Sequence, residues 1–516
     1  MNRGFLEMES MCCQSELTIL NMKKKYNRIV IYGAGNKGTY FLSCLHEFGV
    51  TKANIEVWDA KSDGKTVIHG FETKNPNFAK SEDNCNALAI IALCSKKNNI
   101  LIQEVMHKLV EAGYRNIYSY LDIMECTKND LLMDIRSEQA KKEIDRISRY
   151  IRPSLFLSIF CIGGSTYFLD EQVEETVHEE RIPCIVIKYN YFLEVYHAHY
   201  ISATKTIEFA SLELQSVLET VCSHSFDAIY VNNLVGFPGL YDCLDLLIKA
   251  KLIAKSKLVF YLHDFYSICP TIVLVDINVK YCDIPCDTIC QQCFYEKNFH
   301  STYGSMKQWR MRWAAFLSQC DHVVCFSDSS ASIFGKAFNS SELSKKLVIN
   351  PHRVTYMQKV DLPMKTTKIL TIGFLGYTNL LKGSRIIKEM AKLIDSEDMG
   401  IRLVLIGSLE GDSNLRDYKY FTQTGKYARE EIATLTRSNE IDIFFITSIW
   451  PETFSYTTQE VIEMGMPVAC FDIGAQAERV SRYSKGLVIS EVNARHALVQ
   501  IQEFMQNLSP KVDSSN

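Results

Sequence analysis

Short apolar stretches alternate with amphipathic helical segments along most of this 516-residue chain. The alternation falls into three series, which open with the sequences RIVIYGAG, LFLSIFCIGG and KILTIGFLG. Apolar runs separated by helices in this way are typical of parallel strands joined by crossover helices. The pattern therefore predicts an α/β protein built from several Rossmann-like parallel sheets.

The three series and the segments between them divide the chain into domains. From Thr127 to Arg152 the pattern becomes charged and helical, which indicates a linker. At roughly 150 residues per domain, the length favours three domains and rules out a single small binding module. The predicted organisation is an N-terminal extension over 1–26, a Rossmann-like domain over 27–125, a helical linker over 126–152, α/β domains over 153–350 and 351–505, and a disordered tail over 506–516.

Composition and charge narrow the classes of partner and location. Hydrophobic residues make up 47% of the chain and charged residues 22%, which argues against long disorder. The net charge of -4 gives no global basic field, so nucleic acid is not an expected partner. The 18 cysteines lie mostly in apolar segments, as in a reducing cytoplasm. No export signal is read, and no apolar run reaches the ~20 residues that span a bilayer, so we expect a cytoplasmic protein with at most peripheral contact at the inner face of the membrane.

Two glutamates in the third series, Glu452 and Glu460, bracket a loop and the start of a helix with seven residues between them. A carboxylate accepts paired hydroxyl hydrogen bonds, so one acid near a sugar and one near a ribose would fix a sugar nucleotide at both ends. The amides between them would meet a diphosphate at the helix N-terminus. The alternative is that Glu452 caps the helix and Glu460 is a solvated helix acid.

The sequence WPETFSYTTQE, followed by GMPVACFDIGAQAERV, resembles the donor-binding signature of glycosyltransferase family 4, a family of retaining enzymes with the GT-B fold. The resemblance covers Pro153 to about Glu503. It implies that 153–350 is the GT-B N-terminal acceptor domain and 351–505 the C-terminal donor-binding domain. The predicted fold class is therefore GT-B, with two Rossmann-like domains facing across a cleft, preceded by an additional Rossmann-like α/β domain.

The resemblance also assigns roles to residues of the motif. It implies that Glu452 contacts the donor sugar hydroxyls and that Glu460 contacts the ribose hydroxyls. The amides of Phe454, Ser455 and Tyr456 would face the phosphates. Transfer in this family requires no metal cofactor.

The segment GFLGYTNLLKG resembles the strand-turn-helix in which the family places a phosphate-binding Arg and Lys. Lys382 matches the Lys and would neutralise the leaving nucleoside diphosphate. Tyr377 stands at the position of the Arg, which leaves one positive charge to be found elsewhere. Arg353, Arg385 and Arg479 are the candidates for that charge.

Other matching segments lie in both halves of the resemblance. Gly163 and Gly164 follow a strand, where a turn without side chains lets a substrate approach backbone amides. KLVFYLHDF resembles the segment whose His lies beside the transferred sugar, which singles out His263. TGKYAREEI resembles the segment that flanks the nucleobase, with Gly425 and Tyr427 as contacts. The predicted catalytic residues are His263, Glu452 and Lys382.

A cysteine-rich loop follows His263. Cys282, Cys286, Cys290 and Cys293, preceded by Cys269, end in C-x2-C, and thiolates at such spacings could bind a structural zinc tetrahedrally. The alternative is a reduced, partly buried loop in which the cysteines are small apolar fillers.

A basic and aromatic segment, MKQWRMRW, also has two interpretations. Lys307, Arg310 and Arg312 beside Trp309 and Trp313 on one helix could rest on an anionic membrane or hold a lipid diphosphate. The same pattern is equally typical of a core helix with a charged outer face.

The first series begins with a glycine motif. Gly33, Gly35 and Gly38 follow a strand in the order G-x-G-x-x-G, and Asp59 ends the next strand. This is the dinucleotide fingerprint, in which the glycines allow close backbone approach and the acid binds a ribose. The motif predicts a nucleotide site in the N-terminal domain.

These observations lead to one main hypothesis and two alternatives. The main hypothesis is a retaining glycosyltransferase that moves a sugar from a nucleotide-sugar donor to a glycan or lipid-linked acceptor, in surface polysaccharide biosynthesis. The second is an NAD-dependent oxidoreductase or epimerase built on the glycine motif. The third is a catalytically inactive scaffold that binds a sugar nucleotide.

Overall fold

The structure is a computed structural model of the chain. It describes residues 18–47, 50, 54–60, 62, 67–68, 71–93, 99–133, 135–148, 150, 152–160, 164–191, 193–222, 226–360, 369–409, 418–425 and 427–508. Gly163, most of the predicted N-terminal extension and the tail after Leu508 lie outside these residues.

The first third of the chain alternates strands and helices. Its strands are β1 Ile29–Tyr32, β2 Ile55–Trp58, β3 Val67–Ile68, β4 Phe71–Lys74, β5 Leu88–Ile91 and β6 Asn116–Ser119. Its helices are α1 Ile19–Lys25, α2 Asn36–Glu47, α3 Asn99–Glu111, α4 Tyr120–Met133 and α5 Ile135–Ser148.

The middle of the chain repeats this alternation with a hairpin and several short helices added. Its strands are β7 Ser154–Ile159, β8 Cys184–Asn190, β9 Val195–Ile201, β10 Thr206–Ser211, β11 Ala228–Val231, β12 Lys257–Tyr261, β13 His322–Cys325 and β14 Leu347–Ile349. Its helices are α6 Gly164–His178, α7 Leu214–Cys222, α8 Leu240–Ala254, α9 Asp287–Glu296, α10 His300–Tyr303, α11 Met306–Gln319, α12 Asp328–Phe338 and α13 Ser341–Ser344.

The last third is the most regular. Its strands are β15 Leu370–Thr378, β16 Ile401–Leu409, β17 Phe421–Gln423, β18 Ile443–Ile446, β19 Val468–Phe471 and β20 Gly486–Ile489. Its helices are α14 Ser384–Glu397, α15 Ile432–Ser438, α16 Tyr456–Met464, α17 Gly474–Ser481 and α18 Ala494–Leu508. Helix α18 continues three residues into the segment predicted to be a disordered tail.

The chain divides into two compact units. The smaller unit comprises Met1–Ile151 and Ile185–Ser223, and the larger comprises Arg152–Cys184 and His224–Asn516. Residues 185–223, predicted as part of the domain over 153–350, group instead with the N-terminal residues. The physical reason is packing, because strand β10 and helix α7 contact α5, and Leu193 and Val195 join the core around β1.

The smaller unit is built around one mainly parallel sheet. Its strands lie in the order β3-β4-β2-β1-β5-β6, and only the β3–β4 pairing is antiparallel among those described. All residues of β1 and β5 are buried, as expected for central strands covered on both faces. The smaller unit also contains an antiparallel hairpin, which β9 and β10 form.

The larger unit contains two parallel sheets. One has the order β7-β11-β12-β13-β14, and the other has the order β17-β16-β15-β18-β19-β20. Two apolar clusters cover opposite faces of the second sheet. Successive residues of a strand point to opposite faces, and Phe444 and Phe445 of β18 belong to different clusters. A cleft described below lies between the two sheets. This arrangement confirms the predicted fold class, GT-B preceded in the chain by an additional α/β domain.

Among the described residues, no helix is both long enough and apolar enough to cross a bilayer.

Candidate functional site

The larger unit has a cleft with a cavity volume of about 430 Å³, within the ~300–1,000 Å³ of typical ligand sites. One wall is formed by the start of α6 and the loop after β12, which connect strands of the sheet that contains β7. The other wall is formed by the turn before α14 and the loop before α16, which connect strands of the sheet that contains β15. Loops at the carboxyl ends of parallel strands are the usual position of binding residues in such folds.

Glu452 lies in the cleft wall with only 7% of its surface exposed. The Ser448 hydroxyl donates a hydrogen bond to Glu452 Oε1 at 2.5 Å, and the Lys382 ammonium lies 3.8 Å from the same oxygen. The Glu452 backbone N–H donates to Gln476 Oε1 at 3.2 Å, which fixes the loop. Ser455, and not Glu452, is the N-cap residue of α16. The capping alternative therefore does not describe Glu452.

Glu460 projects from α16 into the same cleft and is 4% exposed. The Tyr356 hydroxyl donates to Glu460 Oε1 at 2.5 Å, and Arg429 Nε lies 4.0 Å from that oxygen. Desolvation raises the pKa of Glu460, although Tyr356 and Arg429 act in the opposite direction. Glu460 is therefore a buried acid beside a cation and not a solvated helix acid.

The loop before α16 brings three consecutive residues, Phe454, Ser455 and Tyr456, to the cleft. Ser455 has φ of 66° and ψ of 83°, a left-handed conformation that is costly for a residue with a side chain. Its hydroxyl pairs with the Thr458 hydroxyl at 2.8 Å. The first amides of α16 have no intrahelical acceptor, and Tyr456 and Thr457, which carry two of them, line the cleft.

Lys382 lies in the turn between β15 and α14 and lines the cleft. The turn is fixed on both sides, because Asn379 Oδ1 accepts from the Lys382 N–H at 3.0 Å and the Thr447 hydroxyl donates to the Lys382 carbonyl at 2.7 Å. Gly383 follows with φ of 83°, and a Cβ there would lie 2.1 Å from the Thr447 carbonyl oxygen. The conformation of this turn therefore permits only glycine after Lys382.

The arginines proposed to replace the charge missing at Tyr377 do not line the cleft. Arg353 and Arg385 are exposed, and Tyr377 itself is 55% exposed. Arg479 is partly buried, and its guanidinium donates to the carbonyls of Phe454 and Phe326. Its burial lowers its pKa to about 10. Arg479 therefore holds the loop before α16 in place without lining the cleft.

Arg429 is a cleft residue that the sequence analysis missed. It begins a short 3-10 turn, Arg429–Glu431, in the segment that resembles the nucleobase loop. Tyr427 of the same segment also lines the cleft, and burial raises the pKa of its hydroxyl. Gly425 has φ of 84° and does not line the cleft.

His263 follows β12, is partly buried and lines the cleft. Its Nε2 lies 2.7 Å from Asn232 Oδ1, which requires Nε2–H to donate and leaves Nδ1 as an acceptor. Burial, together with nearby His352, holds the pKa of His263 well below its ordinary value. The ring is therefore neutral at pH 7, and it suits hydrogen bonding better than proton release.

Asp264, next to His263, is a partly buried carboxyl in the cleft wall. Burial raises its pKa to about 6, against the hydrogen bonds that it accepts from the Tyr266 N–H at 2.8 Å and Asn233 Nδ2 at 3.1 Å. At pH 6 this carboxyl is about half protonated, so its charge responds to modest changes in pH or in nearby charge.

Two further residues that the sequence analysis missed, His352 and Trp450, line the cleft with unpaired polar atoms. Among the described residues, neither His352 Nδ1 nor Trp450 Nε1 has a hydrogen-bond partner, although both atoms are buried. His352 stacks on Phe326 with ring centroids 3.9 Å apart, and burial lowers its pKa to about 3. Buried unpaired groups of this kind are the exception in folded proteins and mark places where a ligand can supply the partner.

Gly164 begins α6 at the cleft, where the ring of Tyr456 covers it. A Cβ at Gly164 would lie 2.5 Å from Tyr456 Cε2, so this approach of the two sheets requires glycine. Gly163 lies outside the described residues.

The glycine motif of the smaller unit lies between β1 and α2. A Cβ at Gly38 would lie 1.7 Å from the Gly33 carbonyl oxygen, whereas Gly35 has open space around it. Asp59 Oδ2 accepts a hydrogen bond from the Ala34 N–H at 2.9 Å. The first and third glycines therefore serve close packing, and the second leaves room for a ligand, as in dinucleotide-binding turns.

The cysteines of the predicted zinc site are all free thiols. Cys290 donates to the Pro285 carbonyl at 3.4 Å, Cys286 is the exposed N-cap residue of α9, and burial raises the pKa of Cys282 to about 11. Cys293 belongs to α9 and is partly buried. Within the described part of the chain, no three His, Cys, Asp or Glu side chains converge as metal ligands.

The basic and aromatic segment forms α11. Trp309 and Trp313 are fully buried, and Trp309 Nε1 donates to the Tyr266 carbonyl. Arg310 and Arg312 pair with acids on neighbouring helices, at 3.2 Å and 2.6 Å, and Lys307 is exposed. This is the arrangement of a core helix with a charged outer face.

Comparison with known proteins places a family match on the second half of the larger unit. Residues 353–513 match the model of the family described as Glycosyl transferases group 1. No curated protein matches the chain by sequence.

Several solved structures resemble the chain at low identity. They include HepE of Anabaena in complex with UDP, at 16% identity over 69% of this chain and 91% of that chain, with a TM-score of 0.44. Sucrose-phosphate synthase of Thermosynechococcus elongatus has 13% identity, coverage of 69% and 90%, and a TM-score of 0.45. The catalytic domain of starch synthase IV of Arabidopsis thaliana, bound to ADP and acarbose, has 12% identity, coverage of 70% and 93%, and a TM-score of 0.44. The region 353–513, which matches Glycosyl transferases group 1, contributes Lys382, Glu452 and Glu460 to the cleft.

Proposed function

We propose that the chain is a glycosyltransferase that moves a sugar from a nucleotide-sugar donor to a hydroxyl of a glycan or lipid-linked acceptor. One observation carries this proposal: two buried carboxylates, Glu452 and Glu460, and one lysine, Lys382, line a single cleft between two parallel sheets. Carboxylates suit sugar and ribose hydroxyls, and an ammonium suits the diphosphate between them.

The chemistry assigned to the cleft is stabilisation of a leaving diphosphate. When the bond between the anomeric carbon and the diphosphate oxygen breaks, the electron pair leaves with the phosphate. Lys382 and the amides at the start of α16 are the groups assigned to stabilise this growing charge, because Lys382 and the first residues of α16 line the same cleft. The acceptor hydroxyl oxygen then bonds to the anomeric carbon, and its proton passes to an oxygen of the departing diphosphate.

Glu452 and His263 are assigned to the sugar. Glu452 is held by Ser448, and His263 is neutral and oriented by Asn232, so both are fixed before the ligand arrives. Such preorganisation lowers the cost of reaching the transition state. We further propose family 4 chemistry with retention of configuration, no metal requirement for transfer and an acceptor of surface polysaccharide synthesis, met at the inner face of the membrane.

The test combines ligand binding with turnover. Thermal unfolding of the wild type with UDP-, GDP-, ADP- and dTDP-sugars identifies the donor base, because a ligand at ~100 times its Kd adds about 2.7 kcal/mol to stability. We expect Glu460→Gln to lose this stabilisation and Glu389→Gln, an exposed acid of α14, to keep it. Release of nucleoside diphosphate with the stabilising donor then tests catalysis. Donor binding without turnover would support the inactive scaffold, and no binding of any sugar nucleotide would contradict the proposal.

A second candidate function is nucleotide binding at the glycine motif of the smaller unit. Two observations favour nucleotide binding there: the close approach of Gly38 to Gly33, and the hydrogen bond that the Ala34 N–H donates to the Asp59 carboxylate. We expect NAD or a related nucleotide to stabilise the wild type more than Asp59→Asn. If NAD alone stabilised the protein, equally with and without Glu460, the oxidoreductase alternative would replace the transferase.

A further inference from the structure

The charges of the cleft do not suit a diphosphate if Lys382 acts alone. A nucleoside diphosphate ligand brings at least two negative charges, and the cleft already holds Glu452 and Glu460. Lys382 lies 3.8 Å from Glu452, so part of its charge is balanced by the protein. Among the described lining residues, the other permanent cation is Arg429, since His263 and His352 are neutral.

Arg429 is held in the cleft by aromatic rings. Its guanidinium carbon lies 3.8 Å from the ring centroid of Tyr167, 4.8 Å from that of Tyr356 and 5.5 Å from that of Tyr456. Tyr167 belongs to α6 on one side of the cleft, and Tyr456 belongs to α16 on the other. Cation-π contacts therefore fix the guanidinium between the two walls.

These ring contacts leave the hydrogen-bonding groups of Arg429 available. Within the described part of the chain, its polar partner is Glu460 at 4.0 Å, a separation too long for a hydrogen bond. A guanidinium presents five N–H donors in a planar fork that matches two phosphate oxygens at once. The side chain is 27% exposed, so a ligand can reach it.

We infer that Arg429 provides the second cationic contact to the donor diphosphate, opposite Lys382. This inference rests on the proposed function. Arg429 stands in the segment after β17, far in sequence from Tyr377, and so the cleft obtains its second charge from a different element than the one the sequence indicated. When the donor binds, its phosphate oxygens take the N–H donors of Arg429, and Glu460 is left to accept from the ribose hydroxyls.

The inference predicts a selective loss of affinity for phosphate. The nucleoside diphosphate that binds the wild type, among UDP, GDP, ADP and dTDP, is titrated against wild type, Arg429→Gln and Arg429→Lys by calorimetry. The matching nucleoside is titrated in the same way. We expect Arg429→Gln to weaken the diphosphate at least tenfold while the nucleoside affinity changes less than twofold. Arg429→Lys, which keeps the charge and loses the fork, should fall between wild type and Arg429→Gln.

Arg353→Gln is the matched control, because Arg353 is exposed and outside the cleft. Melting temperatures of all variants separate a local effect from unfolding. If Arg429→Gln does not fold, Arg429→Lys decides, and an equal loss for nucleoside and diphosphate in that variant would overturn the inference. So would unchanged diphosphate affinity in Arg429→Gln. If the wild type binds no nucleoside diphosphate, the proposed function itself fails together with this assignment, whereas failure in the variants alone removes only Arg429.

Discussion

The glycine turn of the smaller unit and the cleft of the larger unit are both built where parallel strands end and helices begin, but they use their charges differently. In the glycine turn, the Asp59 carboxylate already accepts a hydrogen bond from the Ala34 N–H of its own loop. In the cleft, Glu452 and Glu460 have cations 3.8 Å and 4.0 Å away, at Lys382 and Arg429, without direct hydrogen bonds to them. A glycine turn offers space and amides, whereas the cleft also offers charges that a ligand can rearrange. This difference supports the proposed assignment of group transfer to the larger unit.

The comparison fails most directly if turnover does not require Lys382. We expect Lys382→Ala to lower turnover with the stabilising sugar nucleotide about 10²–10³-fold, the loss typical of one group that stabilises developing negative charge. The melting temperature should change little, because the side chain is 40% exposed. Lys392→Ala, an exposed lysine of α14, is the control. Turnover within threefold of wild type would remove Lys382 from the mechanism.

The partly buried carboxyl of Asp264 should make the free energy of unfolding depend on pH. Its pKa is raised to about 6, so the native state binds more protons than the unfolded state between about pH 4 and pH 6. Its contribution is therefore most favourable below pH 4 and is lost as the pH rises through 6, by about 3 kcal/mol at roughly 1.36 kcal/mol per pKa unit.

The measurement for Asp264 is the free energy of unfolding of wild type minus that of Asp264→Asn from pH 4 to pH 7.5. The difference is needed because His263 and His352, whose pKa values are lowered, contribute the opposite pH dependence to both proteins. A difference that stays flat with pH would contradict the raised pKa.

The glycine turn offers a matched pair of substitutions. We expect Gly38→Ala to reduce the free energy of unfolding by about 1–3 kcal/mol, because the new Cβ would lie 1.7 Å from the Gly33 carbonyl oxygen and the backbone must move. Gly35→Ala should be tolerated, since nothing lies within 4 Å of its Cβ. Chemical denaturation measures both variants. Loss of transferase turnover in folded Gly38→Ala would contradict the assignment of transfer to the larger unit.

The smallest expected effect concerns metal. Incubation with a zinc chelator should leave the melting temperature within 1–2 °C, about the shift of a few tenths of a kcal/mol, because Cys282, Cys286, Cys290 and Cys293 do not converge as ligands. Cys286→Ser should behave as wild type for the same reason. A drop of several degrees, with zinc released in proportion to protein, would show that the cysteine loop binds metal after all.

The sequence was sufficient to predict the fold class and the acids of the cleft for a clear physical reason. Buried strands are local patterns. The spacing of Glu452 and Glu460 left their roles open, and the resemblance of the contiguous segment WPETFSYTTQE implied them, so both predictions needed no knowledge of tertiary contacts. The position of Arg429 depends on Tyr167, Tyr356 and Tyr456. These rings come from three separate segments, so no window of sequence contains the contact.

The same limit explains the domain boundary and the missed cleft residues. Residues 185–223 continue the strand pattern of their neighbours, and only packing on α5 reveals that they belong to the smaller unit. His352 and Trp450 carry no spacing signal either, because their significance lies in buried atoms without partners. Sequence periodicity reports burial, but it does not report which polar atoms remain unpaired.

The left-handed backbone of Ser455 has a consequence for engineering. A non-glycine residue at φ of 66° is held there by its surroundings at a cost of about 1–3 kcal/mol. Replacing it with glycine would relieve that strain, remove the hydrogen bond between the Ser455 and Thr458 hydroxyls, and widen the range of angles open to the loop. At position 455, a single side chain should therefore couple the stability of the protein to the rigidity of a loop that lines the cleft.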